Sequence, residues 1–379
     1  MSVATPTCNP APSMAAARPD FTADNCRPRR KPPQVAPLIS VIVLNYNGAA
    51  WLDRCVHSLA AQTVAKDMEI LVADNASGDH SDLLAADLLR DRPDWRVIPL
   101  RKNLGYCRGN NVAARQARGR YLLFLNFDTW LEADCLERLL GEVCATGAAA
   151  ATPLVLDYQD DRMQSAGECG FDVFGLTCGP TQWTRRQPIF VASGPSFFIA
   201  ADWFFKLGGF DDQFFMYADE YDLCWRVWLA GAKVILAPSA RMHHRGAVAV
   251  NPKGGDRIIE NRTSDTKRYY SNRNGLLVLL KNSQHLLLAI VPLQLLMLAA
   301  EAVVMSLLAR RISHLRRAYV DAVLDCWRLR RHILAERRRL KKMRRRTDFW
   351  MLRFLRGRFN RWREFKRFRR FGLPKVEAS

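Results

Sequence analysis

The sequence lacks the short motifs of several common enzyme and metal-site classes. None of its ten cysteines forms a C-x-x-C pair, so neither a zinc site nor a disulfide framework is indicated, and buried thiols in a reducing compartment are expected. The phosphate-binding patterns G-x-G-x-x-G and G-x-x-x-x-G-K-[ST] are absent, which removes the main support for a dehydrogenase or an ATPase. Residues 1–37 have no apolar h-region and are predicted to be a disordered leader, not a secretory signal.

Acidic residues are scarce in the C-terminal segment. Residues 310–379 hold 25 Lys and Arg but only 6 Asp and Glu, so this segment carries nearly all of the net charge of +20. The preceding residues are close to neutral, and a hydrophobic content of 49% is enough for a sizeable core. The composition therefore predicts a globular protein with a basic segment that faces a polyanion: anionic lipid, nucleic acid or an acidic polymer.

Strand and helix patterns alternate through the first part of the chain, which predicts an open, doubly wound α/β sheet that is mostly parallel. Strands are predicted at 39–44, 69–73, 95–100 and 121–125, and helices at 51–62, 80–91, 109–118 and 131–146. Farther on, 150–217 is predicted as strands and loops, 219–230 as a helix and 233–236 as a strand. Polar clusters follow the first, second and fourth strands, at the sheet edge where such folds bind ligands.

Two acidic clusters could carry chemistry. Asp128 follows a predicted strand, with a second oxygen ligand at Asn126, and this pair could bind a hard divalent cation that bridges a diphosphate. The alternative is that Asp128 caps the next helix. The run Asp219-Glu220-Tyr221-Asp222 opens a predicted helix, where the helix dipole stabilises negative charge. It could also hold a general base whose pKa is raised by its neighbours.

Two further clusters contain histidine, glycine and asparagine. His243 and His244 follow the predicted strand 233–236, either as structural histidines or as ligands that suit a manganese or magnesium site with carboxylates. The segment 103–111 is rich in Gly and Asn, which allow tight turns and close approach of the backbone to a phosphate or a ribose.

In this order and spacing the motifs resemble those of the family 2 glycosyltransferases with the GT-A fold, and most closely their rhamnosyltransferase-like branch. The resemblance runs from about residue 39 to residue 274. The matching pieces are VIVLNYN at 41–47, LVADNASGD at 71–79, NLG at 103–105, GNN at 109–111, GRYLLFLNFD at 119–128, GGFD at 208–211, DEYDLCWR at 219–226 and HRG at 244–246.

The resemblance implies a role for each matched position. The nucleotide-sugar site would be formed by Asn45, Asn47, Asp74, Asn103, Gly105, Asn110 and Asn126. Asp128 would be the metal-binding acid and His244 would complete the metal site, with Mg²⁺ or Mn²⁺ as the cofactor, whereas His243 fits the pattern less well. Glu220 takes the position of the base, and Asp219 is the alternative because the family usually has the order Glu-Asp. Asp222, Trp225 and Arg226 of the same motif are further candidates.

The implied reaction is an inverting transfer. Glu220 or Asp219 would deprotonate an acceptor hydroxyl, which attacks the anomeric carbon of a nucleotide-diphosphate sugar in one displacement. Rhamnose is the first candidate sugar, and a lipid-linked or envelope glycan is the expected acceptor. The implied domains are the leader, a GT-A domain at 38–274, and a hydrophobic helix with a basic, aromatic-rich helical tail at 275–379.

The apolar run 286–309 and the tail that follows predict a membrane-associating segment. The run is long enough to span a bilayer as a helix. A span would place the basic tail outside, against the positive-inside rule, so a re-entrant or in-plane element is favoured, with packing on the catalytic domain as the alternative. Aromatics beside Lys and Arg suit an anionic membrane interface. We therefore expect a peripheral or monotopic protein at the cytoplasmic side of the cell membrane.

Two other functions fit parts of the sequence. The first is a polyanion- or nucleic-acid-binding protein with an inactive α/β domain, although nucleic acid is not the expected partner because the catalytic motifs are intact. The second is a processive polysaccharide synthase, which usually carries Q-x-x-R-W. Here Arg361-Trp362 has Arg358 where that motif needs Gln, so transfer of one sugar or a few is favoured.

Overall fold

The computed structural model describes residues 36–246, 262–309, 315–361, 369 and 375–377. The leader up to residue 35 and the predicted tail aromatics Trp362, Phe365, Phe368 and Phe371 lie outside the described residues.

A ten-stranded sheet forms the centre of the protein, and its strand order is β10-β12-β6-β11-β4-β1-β2-β3, with β5 beside β12 and β7 beside β6. Its strands are β1 (Ile39–Asn45), β2 (Met68–Asp74), β3 (Arg96–Pro99), β4 (Tyr121–Asn126), β5 (Thr129–Leu131), β6 (Ala150–Asp157), β7 (Met163–Ser165), β10 (Gln187–Pro188), β11 (Ser196–Ala200) and β12 (Val234–His244). Short strands β8 (Gly170–Phe171) and β9 (Thr177–Cys178) pair separately, as do β13 (Arg262–Ser264) and β14 (Lys375–Glu377). The half from β4 to β3 is parallel, as the alternating pattern predicts, and the other half is mixed.

Both faces of the sheet are buried, because successive side chains of a strand point to opposite sides. In β1, Ile42 and Leu44 join one core cluster, whereas Val41 and Val43 join the other. Helices cover each face, which explains why these strands are continuous apolar runs and not alternating ones. The open α/β architecture predicted from the sequence is therefore confirmed.

The helices are α1 (Leu52–Ala60), α2 (Ser81–Leu89), α3 (Gly105–Ala114), α4 (Cys135–Thr146), α5 (Ala201–Lys206), α6 (Asp219–Leu229), α7 (Asp265–Asn282), α8 (Ile290–Ala309), α9 (Ala322–Arg328), α10 (Arg330–Met343) and α11 (Asp348–Met351). Helix α3 begins four residues before its predicted start, because the Asn103 side-chain oxygen accepts a hydrogen bond from the N–H of Gly105 at 2.9 Å and turns the chain into the helix.

Strand β12 is longer than predicted, and this changes where the histidines lie. The predicted strand ends at Leu236, two residues before Pro238, which cannot donate to a ladder. The strand instead passes through an irregularity between Ala237 and Arg241 and resumes its pairing with β6 as far as His244. A bulge of this kind accommodates the proline and carries His244 to the sheet edge.

The C-terminal helices pack on the part of the protein that contains the central sheet. Helix α7 crosses the predicted domain boundary at 274/275 and contributes Leu276 to Leu279 to the main core cluster. The division itself stays a prediction. Among the described residues one helical window, Leu287–Met305, is long and apolar enough to cross a membrane by length and composition, and 28% of it is buried.

Two arginines of the basic segment cap the C-terminal ends of α6 and α7. Arg346 donates to the carbonyls of Trp228, Gly231 and Ala232, at the C-terminal end of α6, and its guanidinium stacks on Trp350 at 3.9 Å. Arg337 does the same at the end of α7, where it donates to three carbonyls at 2.6–2.9 Å. Cations at helix C-termini also interact favourably with the helix dipole. Some of the basic side chains therefore stabilise helix ends within the protein.

We predict that Arg346→Lys destabilises the protein although it keeps the charge. An ammonium cannot reproduce the planar set of bonds and the aromatic stacking, so the free energy of unfolding should fall by roughly 2 kcal/mol. Arg338→Lys, at an exposed position of α10, is the matched control and should change it by less than about 0.5 kcal/mol. Urea denaturation followed by circular dichroism measures both. Equal values for the two variants would show that the cap contributes nothing.

Candidate active site

The ends of β1 and β2 bring two of the predicted nucleotide-site residues into direct contact. Asn45 is opposite Asp74 in the parallel ladder, and its side-chain N–H donates to Asp74 Oδ1 at 2.9 Å and to Ser81 Oγ at 2.7 Å. Asp74 Oδ2 also accepts the N–H of Ser77 at 3.1 Å. Both side chains are buried, at 0% and 5% exposure. The pair is therefore held rigidly at the carboxyl edge of the sheet.

The other predicted nucleotide-site residues line the same edge. Asn75 donates to Asn103 Oδ1 at 2.9 Å, and this bond joins the loop after β2 to the start of α3. Gly105 has φ +75°, and a Cβ there would lie 2.4 Å from the Phe215 ring, so only glycine fits. Asn110 is buried and donates to the Tyr106 carbonyl, whereas Asn47 is exposed and accepts from the N–H of Gly78 at 2.8 Å.

Asp128 and His244 converge where β4 and β12 end. His244 Nε2 lies 3.4 Å from Asp128 Oδ2, and the same carboxylate accepts the N–H of Gly246 at 3.1 Å. Burial raises the pKa of Asp128, but the charge and hydrogen bond of His244 outweigh burial and leave this pKa below its ordinary value. Asn126, half-buried, ends β4 two residues earlier. A carboxylate oxygen and an imidazole nitrogen thus share one small volume.

Gln164 holds the ring of His244 from the other side. Its side-chain oxygen lies 2.7 Å from His244 Nδ1, and its side-chain N–H donates to the His244 carbonyl at 2.9 Å. The amide oxygen can only accept, so Nδ1 carries a hydrogen, and the ring is held with Nε2 toward Asp128. Nothing in the sequence marked Gln164, because its contact with His244 spans 80 residues.

His243 points to the opposite side of β12, as alternation in a strand requires. Its ring stacks on Trp130 with centroids 3.7 Å apart, and its Nδ1 lies 2.8 Å from the Asp157 carbonyl. With Glu132 and Asp161 it forms a group whose ligand atoms lie within 4.8 Å of one another. The structure therefore separates the two histidines, and only His244 faces Asp128.

Asp219 and Glu220 form a hydrogen-bonded carboxyl pair in the first turn of α6. Burial, the Glu220 charge and the shared hydrogen bond raise the pKa of Asp219 well above its usual range. Burial also raises the pKa of Glu220, while the hydrogen bond from Asp219 opposes that rise. The two carboxyls therefore share one proton, and the ionised member of the pair can accept another.

Glu220 lies against a small cavity of about 220 Å³. The cavity is also lined by Glu168, Ser165, Ser193 and Thr177. A Cβ at Gly194 would lie 2.7 Å from Glu220 Oε1, so glycine keeps the carboxylate accessible there. The next residue, Pro195, accepts the N–H of Asn126 at 3.0 Å, which places the cavity beside the end of β4.

The loop that leads into α6 is strained. Phe215, Tyr217 and Ala218 all have positive φ, between +59° and +68°, which is unfavourable for residues with a Cβ. The buried Asn274 side chain of α7 donates to the carbonyls of Phe214, Met216 and Tyr217 at 2.8–2.9 Å. These bonds hold the loop in the conformation that presents the Asp219–Glu220 pair.

Asp222, Trp225 and Arg226 are fully buried behind the carboxyl pair. Asp222 bonds Arg226 at 2.7 Å, Lys281 at 3.0 Å and Asn282 at 2.9 Å. Trp225 stacks on Phe171 in the main core cluster. Their contacts are those of residues that fix α6, and sequence spacing did not reveal the partners on α7.

Comparisons with known proteins relate the chain to glycosyltransferases. The family model described as "Glycosyl transferase family 2" matches residues 40–218. The chain is 28% identical over 291 residues to N-acetylgalactosaminyltransferase 6 of Drosophila melanogaster, and it covers 43% of that protein with 68% of its own length. It is 29% identical over 235 residues to the O-antigen biosynthesis protein RfbC of Myxococcus xanthus, with 58% of this chain and 18% of RfbC covered. The chain thus spans less than half of these relatives.

Among solved structures, the mannosyltransferase PcManGT from Pyrobaculum calidifontis, determined in complex with GDP-Man and Mn²⁺, superposes with a TM-score of 0.50 at 15% identity. The match covers 78% of this chain and 88% of that one. This likeness concerns the fold, and it confirms the predicted GT-A architecture.

We predict that Asn274→Leu loosens the loop before α6. The leucine has a similar volume but removes the side-chain donor from the carbonyls of Met216 and Tyr217, whereas Phe214 keeps Arg273 as a donor, so the free energy of unfolding should fall by about 3 kcal/mol. Hydrogen exchange of the amides at 214–220 should also accelerate.

Asn272→Leu is the matched control, because Asn272 is buried on the same helix but donates to the Ala318 carbonyl. It should destabilise the protein without accelerating exchange at 214–220. The same exchange pattern in both variants would contradict the role assigned to Asn274.

Proposed function

Residues 40–218 belong to glycosyltransferase family 2, and from this premise we propose that the protein transfers a sugar from a nucleoside-diphosphate donor to an acceptor hydroxyl, with inversion at the anomeric carbon. The observation that carries the proposal is the proximity of two pairs: Gln164 bonds His244, the partner of Asp128, and the next residue, Ser165, lines the cavity beside Glu220, the partner of Asp219. Both Glu220 and His244 lie beyond the residues matched by the family model, so their roles rest on the geometry and on the motif resemblance.

The donor nucleotide is proposed to lie against Asn45, Asp74, Asn103 and Asn110. These four side chains come from three consecutive strand–helix connections and are immobilised by one another or by the backbone. Rigid polar groups suit recognition of a base and a ribose because they lose little conformational entropy on binding. We propose rhamnose as the sugar, on deoxythymidine diphosphate, because the motif set most resembles the rhamnosyltransferase-like branch.

Asp128 and His244 fit a divalent cation, Mg²⁺ or Mn²⁺. The donor set is a carboxylate oxygen and an imidazole nitrogen 3.4 Å apart, with the ring oriented by Gln164, and such ligands suit these ions. When bound, the ion would neutralise the charge that develops on the departing diphosphate. Asp128 and His244 would hold the ion, and oxygens of the diphosphate would be suitable further ligands.

Glu220 is proposed as the base. Its carboxylate takes the proton of the acceptor hydroxyl, the oxygen bonds to the anomeric carbon, and the bond from that carbon to the diphosphate oxygen breaks. The nucleoside diphosphate leaves with the electron pair of that bond. Asp219 holds the shared proton and aligns Glu220, so it acts as a positioning residue. A base with a raised pKa is a better match to a hydroxyl proton at neutral pH.

The cavity beside Glu220 is the proposed place of the acceptor hydroxyl. Its lining offers the hydroxyls of Ser165, Thr177 and Ser193 and the carboxyl of Glu168, which are suitable partners for sugar hydroxyls. We propose a lipid-linked or envelope glycan as the acceptor, with the enzyme at the cytoplasmic side of the cell membrane. The similarity to a protein named for O-antigen biosynthesis supports this choice.

We predict that Glu220→Gln lowers the rate of transfer by roughly 10²–10⁴-fold while donor binding persists, because the amide cannot accept the proton. Asp219→Asn is the matched control: its amide still donates a hydrogen bond to Glu220, so it should lose less than about tenfold. The assay is release of nucleoside diphosphate from deoxythymidine-, uridine- and guanosine-diphosphate sugars with Mn²⁺, plus and minus lipid extract.

Two outcomes would contradict the assignments. A greater loss in Asp219→Asn than in Glu220→Gln would make Asp219 the base. No release by the unaltered protein from any donor would overturn the proposed function.

We predict that Gln164→Leu weakens Mn²⁺ binding by about 10–100-fold, because the ring of His244 loses the partner that fixes its tautomer and orientation. Free Mn²⁺ is measured by electron paramagnetic resonance in the presence of nucleoside diphosphate. Gln116→Leu is the control, at an exposed position after α3 near the amino ends of the strands. Unchanged affinity in Gln164→Leu would place the metal elsewhere, for example at Glu132, Asp161 and His243.

A further inference from the structure

Helix α8 exposes an apolar side, whereas the exposed side of a helix on a soluble domain is usually polar. Up to Met305, all of its exposed residues are apolar: Pro292, Leu293, Leu296, Ala299, Ala300, Val303 and Val304. We call this set the apolar face. Leu296 and Val303 are 66% and 63% exposed. The polar Gln294 is buried, and Glu301 forms an ion pair with Arg361.

The inner face of α8 is attached to the protein along its length. Ile290 joins the main core cluster at one end. In the middle, the Gln294 amide lies 3.2 Å from the position of a Cβ on Gly275 of α7. Toward the other end, Leu298, Ala302 and Met305 pack against Ala318 and Tyr319. The helix therefore lies flat on the body.

A flat helix of this kind cannot cross a bilayer by itself. Its neighbour α7 carries Arg273 and Lys281, which bond the loop before α6 and the aspartates behind the carboxyl pair. A perpendicular orientation of α8 would take these charged groups into hydrocarbon, at high cost. An in-plane orientation exposes only the apolar face to lipid.

The helices that follow carry a second exposed surface, which we call the basic stripe. From 317 to 338, one row of exposed residues has spacings of three and four, and it consists of Arg317, Val320, Leu324, Trp327, Arg331, Leu334 and Arg338. Trp327 is 67% exposed, with the Arg330 guanidinium 4.9 Å from its ring centroid. Alternation of Arg with Trp, Leu and Val is typical of helices at an anionic membrane interface.

We propose that the apolar face lies in the plane of a phospholipid bilayer, embedded to the level of the acyl-chain boundary, with the basic stripe on anionic headgroups. A bilayer fits better than a protein partner for two reasons. The face is continuous over most of a helix about 30 Å long and offers no polar atom that would specify a partner. The adjoining segment has the sign of charge that anionic lipid attracts.

Vesicle flotation tests whether the apolar face binds a phospholipid bilayer. The full-length protein should float with vesicles of phosphatidylcholine containing one third phosphatidylglycerol, and binding should weaken in high salt or with phosphatidylcholine alone. Leu296→Asp with Val303→Asp should lower the partition coefficient at least tenfold, with no change in nucleoside-diphosphate release from a soluble donor.

Leu83→Asp is the matched control, because Leu83 of α2 is 64% exposed, nearly as much as Leu296. It should float like the unaltered protein. The proposal is overturned if the unaltered protein does not float, or if both sets of variants lose binding equally. It is also overturned if the Leu296→Asp, Val303→Asp protein floats normally but loses a dimer seen by light scattering.

A depth measurement tests the in-plane orientation. Cysteines introduced at Leu293, Ala299 and Val303 are labelled with an environment-sensitive fluorophore and quenched by lipids that carry the quencher at known depths. Equal depths at the three positions support the in-plane helix. A span would put Ala299 deepest, with the two ends near opposite surfaces, and that result would overturn the proposal.

Discussion

The site depends on a buried set of ion pairs that fixes the start of α6. Lys281 of α7 lies between Asp211 and Asp222, Arg226 completes the pair with Asp222, and His332 of α10 bonds Asp211 at 2.8 Å. Burial opposes ionisation of both aspartates, but the cations outweigh it and lower the pKa of each. Breaking such a pair would leave a buried charge without compensation, at a cost of roughly 3–5 kcal/mol. The constraint therefore holds the loop before α6, α6 itself and the C-terminal helices in one arrangement.

This constraint changes the meaning of the basic C-terminal segment. Composition alone suggests a tail whose arginines bind a polyanion. A guanidinium can equally donate hydrogen bonds to the free carbonyls at the end of a helix. Arg337 and Arg346 do so for α7 and α6, and Asp348 accepts three main-chain N–H groups at the turn into α8. The remaining arginines face outward, including those of the basic stripe. Some arginines of the segment thus stabilise the catalytic domain, and others form part of the surface. Because fewer arginines are free to bind a polyanion, the alternative of a general polyanion-binding protein is weakened.

The sequence predicted the parallel half of the sheet because its strands are continuous apolar runs, and it predicted the site edge because polar residues follow those runs. It could not show that β12 continues past Pro238, since a local pattern gives no sign that a bulge will absorb a proline. It could not reveal Gln164 or Asn274 either, because each acts through contacts with residues about 60 to 80 positions away. The roles of Asp128, Glu220 and His244 stay predictions, although the fold brings them to the same edge. Asp222 and Arg226 belong to the motif, but their partners show that spacing alone cannot separate a reacting group from one that fixes a helix.

Helix α7 connects the proposed sugar-transfer site with the proposed membrane-binding helix α8. Asn274 bonds the strained loop that presents Glu220, and the next residue, Gly275, touches Gln294 on the inner side of α8. Asn274, which orients the carboxyl pair through the loop, and Gly275, which packs against α8, are therefore adjacent residues of one helix. Because a packed helix moves as a rigid unit, a bilayer that fixes α8 also fixes the orientation of the cavity beside Glu220. For a lipid-linked acceptor this matters, since a glycan anchored in the same bilayer arrives at a limited range of heights. An in-plane helix sets that height through contacts with the catalytic body, whereas a span joined by a flexible linker would leave it free.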